Sequence, residues 1–300
     1  MTIAICIKIN DGVVLASDSA TTILGQLAPG TPLVAINVYN NANKIFNLRK
    51  GFPIGAITWG AGGIGTASVS TLIKNLRDRF SGEDAKYKDW KLDRTKYTVE
   101  DVADKFKKFI FDEVYEPAYR DFQFPKPAVG FIVAGYSANA DMAEEFQIDI
   151  QNGACTGPRR LRQYDEVGMA WSGEPEALNR LILGYSLAIP DLLRAQLGIN
   201  PAQMNQAMGN VLPQIQQPFI VPAMPLKDAI DLGEFMVDVA KQFSRFKPGA
   251  TTVGGPIEIA AISKHEGFRW IRRKHYFDRE LNPEIEKDEK LEEEKKDDRA

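Results

Sequence analysis

Cysteine and histidine are scarce in this chain, with two of each in 300 residues. Two cysteines cannot staple a disulfide scaffold of this size. With no Cys-x-x-Cys and both histidines near the C-terminus, at His265 and His275, a metal site is not expected. Charge of one sign is also missing: 37 basic residues stand against 40 acidic ones, net −3, which leaves no electrostatic footprint for nucleic acid. No apolar run approaches the roughly 18 residues that span a bilayer, and no charged-then-apolar leader opens the chain. The expectation is a cytoplasmic protein without membrane contact. No motif calls for a cofactor.

Hydrophobic residues make up 44% of the chain, enough for a substantial core. Strand patterns fill Thr2–Ala16 and Asn43–Trp59, and Thr66–Phe80 repeats apolar residues at helical spacing through Leu72, Ile73 and Leu76. Tyr87–Tyr97 reads as a loop. Thr98-Val99-Glu100-Asp101 is a capping signal for a second helix running to Tyr119. Strands return at Ala128–Gly135, Glu145–Asp149 and Glu166–Trp171. Two helical stretches and an irregular connector lead to Pro225, then the helix Leu226–Phe246, then strands Ile257–Ile262 and Phe268–Ile271. Blocks of strands and helices, without strict alternation, predict an α+β fold. Cys6 falls mid-strand and reads as a small buried hydrophobe; Cys155 reads as a loop residue.

The chemistry concentrates at the start. Ile3, Ile5, Ile7 and Ile9 alternate with Ala4, Cys6 and Lys8, Asn10-Asp11-Gly12 is a hairpin turn signal, and Val13–Ala16 is the returning strand. That pairing returns Asp18, sixteen residues after Thr2, to the neighbourhood of Thr2. If Met1 is removed, Thr2 carries a hydroxyl and a free α-amine of ordinary pKa about 7.7–8.0, which can take the hydroxyl proton.

With Asp11-Gly12-Val13-Val14-Leu15-Ala16-Ser17-Asp18-Ser19-Ala20 at its centre, the segment Thr2–Thr21 resembles the start of a mature proteasome β-type subunit. Asn43-Lys44-Ile45-Phe46-Asn47-Leu48 is similar to that family's lysine strand, after a spacing longer than usual that makes Thr22–Asn41 an inserted loop. Gly55–Gly63 resembles the turn that donates a backbone N–H to the oxyanion, with Gly60 as the match. Gly130–Tyr136 and Gln147–Ile150 look like central strands, and Met169-Ala170-Trp171-Ser172-Gly173 like the family's Gly-Ser-Gly strand end. Two features depart from the family. The Asp and Ser expected before Gly254-Gly255 fall on Ala250 and Val253, leaving Thr251 or Thr252 to supply a hydroxyl. The chain is also longer, by Gly184–Pro225 and a charged tail.

The resemblance implies a four-layer αββα sandwich over residues 1–277, with insertions at about 22–41 and 184–225 and the tail 278–300 outside it. It implies a threonine-type endopeptidase in which Thr2 is the nucleophile, Lys44 and Asp18 set its protonation, Gly60 stabilises the oxyanion, and Ser172 and Gly173 brace the amine. It also implies peptide or unfolded-protein substrates, a homo-oligomeric ring, and an unfoldase as a further partner. Two other classes stay open: an inactive assembly subunit of the same fold, and an N-terminal nucleophile hydrolase of small amides.

Three segments have plainer readings beside functional ones. Gly184–Pro225 reads as a helical insertion packed on its own domain, or as a lid or oligomer contact. Arg159-Arg160-Leu161-Arg162 reads as a solvated strand end rather than an anion site. Glu284–Ala300, almost entirely charged or small, lacks apolar surface to offset ordering and reads as disordered or a frayed helix.

Overall fold

The structure, a computed structural model, describes residues 2–25, 31, 34–122, 125–275 and 281. The charged tail 278–300 lies outside the described residues except for Leu281. Strands β1 (Ile3–Ile9) and β2 (Gly12–Ser17) form the expected hairpin, with Ile9 opposite Gly12 and Ala4 opposite Ser17. Next come β3 (Thr21–Gly25), β4 (Val34–Tyr39), β5 (Ile45–Asn47), β6 (Ile54–Gly60) and the short pair β7 (Gly63–Ile64) and β8 (Ala67–Ser68). Helix α1 (Val69–Ser81) follows, then α2 (Val99–Lys107), a π-helical stretch Lys108–Tyr115, and α3 (Glu116–Tyr119). Strands β9 (Val129–Gly135), β10 (Glu144–Gln151), β11 (Ala154–Arg160) and β12 (Gly168–Gly173) precede α4 (Glu176–Leu178), α5 (Ile189–Leu197), α6 (Pro201–Ile215) and α7 (Leu226–Phe246). The last strands are β13 (Glu258–Ser263) and β14 (Gly267–Arg272).

Two five-stranded sheets result, in the orders β12-β1-β2-β13-β14 and β11-β10-β9-β6-β5, and the strand pairs are antiparallel. The fold is α+β.

The side-chain alternation of β1 explains its place. Successive residues of a strand point to opposite faces. Ile3, Ile5, Ile7 and Ile9 pack with Ala229, Met236, Val237 and Ala240 of α7. Ala4 and Cys6, the small residues between them, share a second cluster with Ile45, Ile57 and Ile132 of the other sheet. Bulk therefore faces the helix, and small side chains let the sheets approach. The other sheet repeats the logic: Ile54 and Ala56 of β6, with Phe131 and Val133 of β9, pack on Leu72, Leu76, Val102 and Phe106 of α1 and α2. Fully burying each Ile, Val, Leu or Phe among them is worth about 1.5–3 kcal/mol.

Caps set the helix starts. Ser68 accepts from Thr71 N–H and Thr98 from Asp101 N–H, so the signal at Thr98 opens α2 as expected. Three expectations are corrected. The described part of Thr22–Asn41 is not all loop: β3 and β4 pair antiparallel within it, Thr21 opposite Tyr39 and Gly25 opposite Val34. Tyr87–Tyr97 begins with the end of a short 3₁₀ helix, Ala85–Trp90, capped by Asp84. Cys155 is not in a loop: it sits in β11 opposite Ile150. Of the insertion 184–225, α5 buries no residue, while α6 buries Met204. Among the described residues, no helix is long and apolar enough to cross a membrane.

Candidate functional site

Thr2 directly precedes β1, and β12 fixes it from one side. Ile3 lies opposite Gly173, and the Glu174 N–H donates to the Thr2 carbonyl at 2.7 Å. Gly173 has φ of 105°, and a side-chain carbon there would stand 2.1 Å from the Thr2 carbonyl oxygen, so only glycine lets β12 close on Thr2. On the other side β2 returns Asp18 to Thr2. The Thr2 hydroxyl donates to Asp18 Oδ1 at 2.5 Å, and the Ile3 N–H donates to the same oxygen at 3.0 Å. Asp18 Oδ2 accepts from the Ala20 N–H at 3.0 Å and the Gly254 N–H at 2.9 Å.

Lys44 comes from the second sheet. Its carbonyl accepts from the Thr58 N–H at 3.0 Å, which holds it against β6 just ahead of β5. Its ammonium donates to the Thr2 hydroxyl oxygen and to Asp18 Oδ1, the latter at 2.5 Å. Thr2, Asp18 and Lys44 are 1%, 0% and 5% exposed. Five donors therefore converge on one buried carboxylate, and the only side-chain hydroxyl among them belongs to Thr2. Burial pulls the Lys44 amine below its ordinary pKa; Asp18 pulls it back up, the nearby Lys274 lowers it further and Glu258 raises it.

Thr2 and Lys44 line a cleft of about 340 Å³, with Asp18 behind them, and its wall includes Thr58, Trp59 and Gly60 of β6 and Ser70 of α1. Backbone amides along a strand alternate in direction. Thr58 N–H points to Lys44, while Ala61 N–H donates to Ala128 on the opposite side at 2.9 Å. Gly60 N–H therefore lies on the Thr58 side, beyond the end of β5 and toward the cleft. Its φ is 86°, and a side-chain carbon there would stand 2.4 Å from the Ala128 oxygen, which reserves the position for glycine.

Of the residues singled out from sequence, Thr2, Asp18, Lys44, Gly60 and Gly173 are brought together. Ser172 lies opposite Ala4 and lines an adjoining hollow of about 740 Å³ that shares Trp59 and Gly60 with the Thr2 cleft. The side-chain hydrogen bonds of Thr2 run to Asp18 and Lys44 instead.

The loop before Gly254-Gly255 is held through its backbone. Ser244 of α7 accepts from the Thr252 and Val253 N–H groups, Val253 is buried beside α7, and the Ser19 N–H donates to the Gly254 carbonyl at 2.9 Å. A main-chain N–H at Gly254 thus reaches Asp18 without an Asp or Ser side chain in the loop.

Sequence reasoning missed a second buried pair beside the first. Lys274 Nζ lies 2.6 Å from Glu258 Oε2 and donates to Ser19 Oγ at 2.9 Å and to the Ala42 carbonyl at 2.8 Å. It ties together the segments carrying Asp18 and Lys44. The available signal was Glu258 itself, a carboxylate opening the apolar run Ile259–Ile262, which calls for a cation once buried.

No model of a known protein family matches the sequence. Nor does any of the curated proteins with which it was compared. What the site does is carried by its geometry alone.

Proposed function

We propose that this chain is a threonine-type peptidase whose nucleophile is Thr2, with its amine freed by removal of Met1. One observation carries this: the Thr2 hydroxyl meets a buried carboxylate and a buried ammonium at the wall of a cleft that Gly60 N–H faces. A hydroxyl is a poor nucleophile until a base takes its proton and a charge steadies the alkoxide. The Thr2 amine takes that proton as Oγ1 bonds to the amide carbon. Lys44, held by Asp18, steadies the developing charge on Oγ1 and favours the neutral amine. The carbonyl oxygen becomes an oxyanion at the Gly60 N–H, a contact typically worth about 10²–10³ in rate. Collapse returns the proton to the departing amine and leaves a threonyl ester, which water hydrolyses to regenerate the hydroxyl.

The order helices, sheet, sheet, helices supports reading the fold as the αββα sandwich of proteasome β-type subunits. A peptide pairing as an added strand, a closed homo-oligomeric ring and an unfoldase partner belong to the same reading. A second reading, hydrolysis of small amides, draws on the cleft volume, about 340 Å³, near the lower end of ligand pockets.

Intact mass before and after an electrophile that acylates terminal threonine tests the nucleophile. Loss of Met1, one added group on wild type and none on Thr2→Ala are expected. Peptide hydrolysis at full rate by protein that keeps Met1 would sink the proposal. Turnover of small amides with none of peptides would select the second reading.

A further inference from the structure

Beyond the Thr2 cleft the two sheets open between β5 and β14, one edge strand of each, where α1 crosses. The hollow there measures about 620 Å³. Its walls are basic. Lys74 and Arg77 stand three residues apart on α1 and so share a face with Ser70. Lys50 approaches from beyond β5, and Arg273 from the end of β14. The single lining carboxylate, Glu258, is already paired with Lys274. Among the described residues, Lys50, Lys74, Arg77 and Arg273 form no ion pair. Like charges gathered in one concave wall repel one another, and a bound anion relieves that repulsion. Burial pulls the Arg77 guanidinium down, Asp78 pulls it up, and Arg273 pulls it down again, which places the two arginines within electrostatic reach of each other.

The hollow also has an aromatic side. Phe268 and Trp270 meet edge to face with centroids 5.3 Å apart, and the Arg273 guanidinium lies 4.9 Å from the Trp270 ring. Such a surface suits the stem of a side chain or a peptide plane better than a fully hydrated ion. Asn41, Asn43 and Ser70 line both this hollow and the Thr2 cleft, so the two are continuous. A chain with one carbonyl at Thr2 can lay a neighbouring residue into the basic wall.

We infer that this hollow is a subsite for acidic side chains of a peptide substrate, so that the preferred substrates carry Glu or Asp close to the bond presented to Thr2. The inference deepens the peptidase reading and rests on it for the direction of the chain, but binding can be measured without hydrolysis. The test uses full-length Thr2→Ala protein and a short fluorescein-labelled peptide with alternating Glu, beside its Gln counterpart. Fluorescence anisotropy at low salt is expected to show the Glu peptide binding at least about tenfold tighter, the scale of one charge-assisted contact. The preference should shrink as salt rises, because exposed charges are screened over about 10 Å at 0.1 M. In a Lys74→Ala/Arg273→Ala background the preference should vanish. Both side chains are exposed, so the variant is expected to keep the wild-type melting temperature.

Equal affinity for the two peptides, or an undiminished preference in the double variant, overturns the inference. Inorganic phosphate distinguishes the source of the anion. Displacement of the Glu peptide by phosphate supports a shared oxyanion site, whereas phosphate binding with no Glu-over-Gln preference makes this a site for free anions and overturns the peptide assignment. Binding of the Glu peptide by a protein whose wild type never hydrolyses it keeps the subsite and removes the peptidase reading.

Discussion

Replacing Lys44 by methionine tests the heart of the site, because the change keeps the length of the side chain and removes only its charge and donors. Lys44 is 5% exposed and its partner Asp18 is 0% exposed, so the variant strands a carboxylate in the interior. Breaking a buried pair from one side typically costs about 3–5 kcal/mol. Asp18 keeps four other donors, from Thr2, Ile3, Ala20 and Gly254. The cost should therefore sit near the lower end, about 3 kcal/mol. Urea unfolding should show it as a lower midpoint at unchanged slope. Adding Asp18→Asn, which removes the stranded charge, should recover more than half of the loss.

The pH dependence supplies the sharper check. Burial holds the folded pKa of Lys44 below its ordinary 10.5. Between those two values the unfolded chain binds more protons at this residue, so wild type gains stability as pH rises through that window and gains nothing more above 10.5. Lys44→Met lacks the group, so its deficit should widen with pH over the same window. A deficit that is below about 0.5 kcal/mol, the scale of surface changes, or that narrows with rising pH, would refute the account of Lys44 as a buried, coupled cation. Peptide hydrolysis should fall at least about a hundredfold in the same variant, since acid–base assistance contributes about 10²–10⁴. Lys44→Arg keeps a cation beside Asp18 and should recover part of the stability but not the rate, its planar fork being larger than an ammonium.

Gly173→Ala should lower stability by about 2 kcal/mol or more, because its φ is 105° and the new methyl meets the Thr2 carbonyl; thermal melting checks this, and a neutral effect would mean that β12 can withdraw from Thr2 freely. Lys274→Met should cost about 3 kcal/mol by leaving Glu258 buried without its cation, and should raise the pH midpoint of the Lys44-dependent stability, since Lys274 is one of the charges lowering it. Lys274→Arg should restore most of the stability. Mass photometry should find assemblies larger than the 33.4 kDa chain, of unchanged size after truncation following Asn282; a monomer at micromolar concentration would count against the ring.

Much of the local structure was legible because it obeys local rules. The isoleucine alternation of Ile3–Ile9 identifies a strand, Thr98 and Asp101 identify a helix start, and apolar spacing locates α1 and α7. The same rules misplaced Cys155 and Thr22–Asn41. Short strands at a sheet edge, without a regular apolar–polar alternation, are held by their partners, β10 for Cys155 and each other for β3 and β4. At the site, the hairpin turn already brought Asp18 back toward Thr2 over sixteen residues, and the resemblance pointed to Lys44, Gly60 and Gly173.

What only the tertiary structure decided is how those residues are held. Lys44 and Thr2 belong to different sheets, and they meet because small Ala4 and Cys6 let the sheets close. The Gly254 N–H reaches Asp18 across 236 residues, and Lys274 reaches Ser19 across 255. The basic hollow exists only because β5 and β14 are both edges. Sequence alone located most of the strands and helices and nominated Thr2, Asp18 and Lys44, since propensity and periodicity act over a few neighbours. Pairing register and sheet-on-sheet packing, which act between segments from 16 to 236 residues apart, decided which of them share one buried cluster.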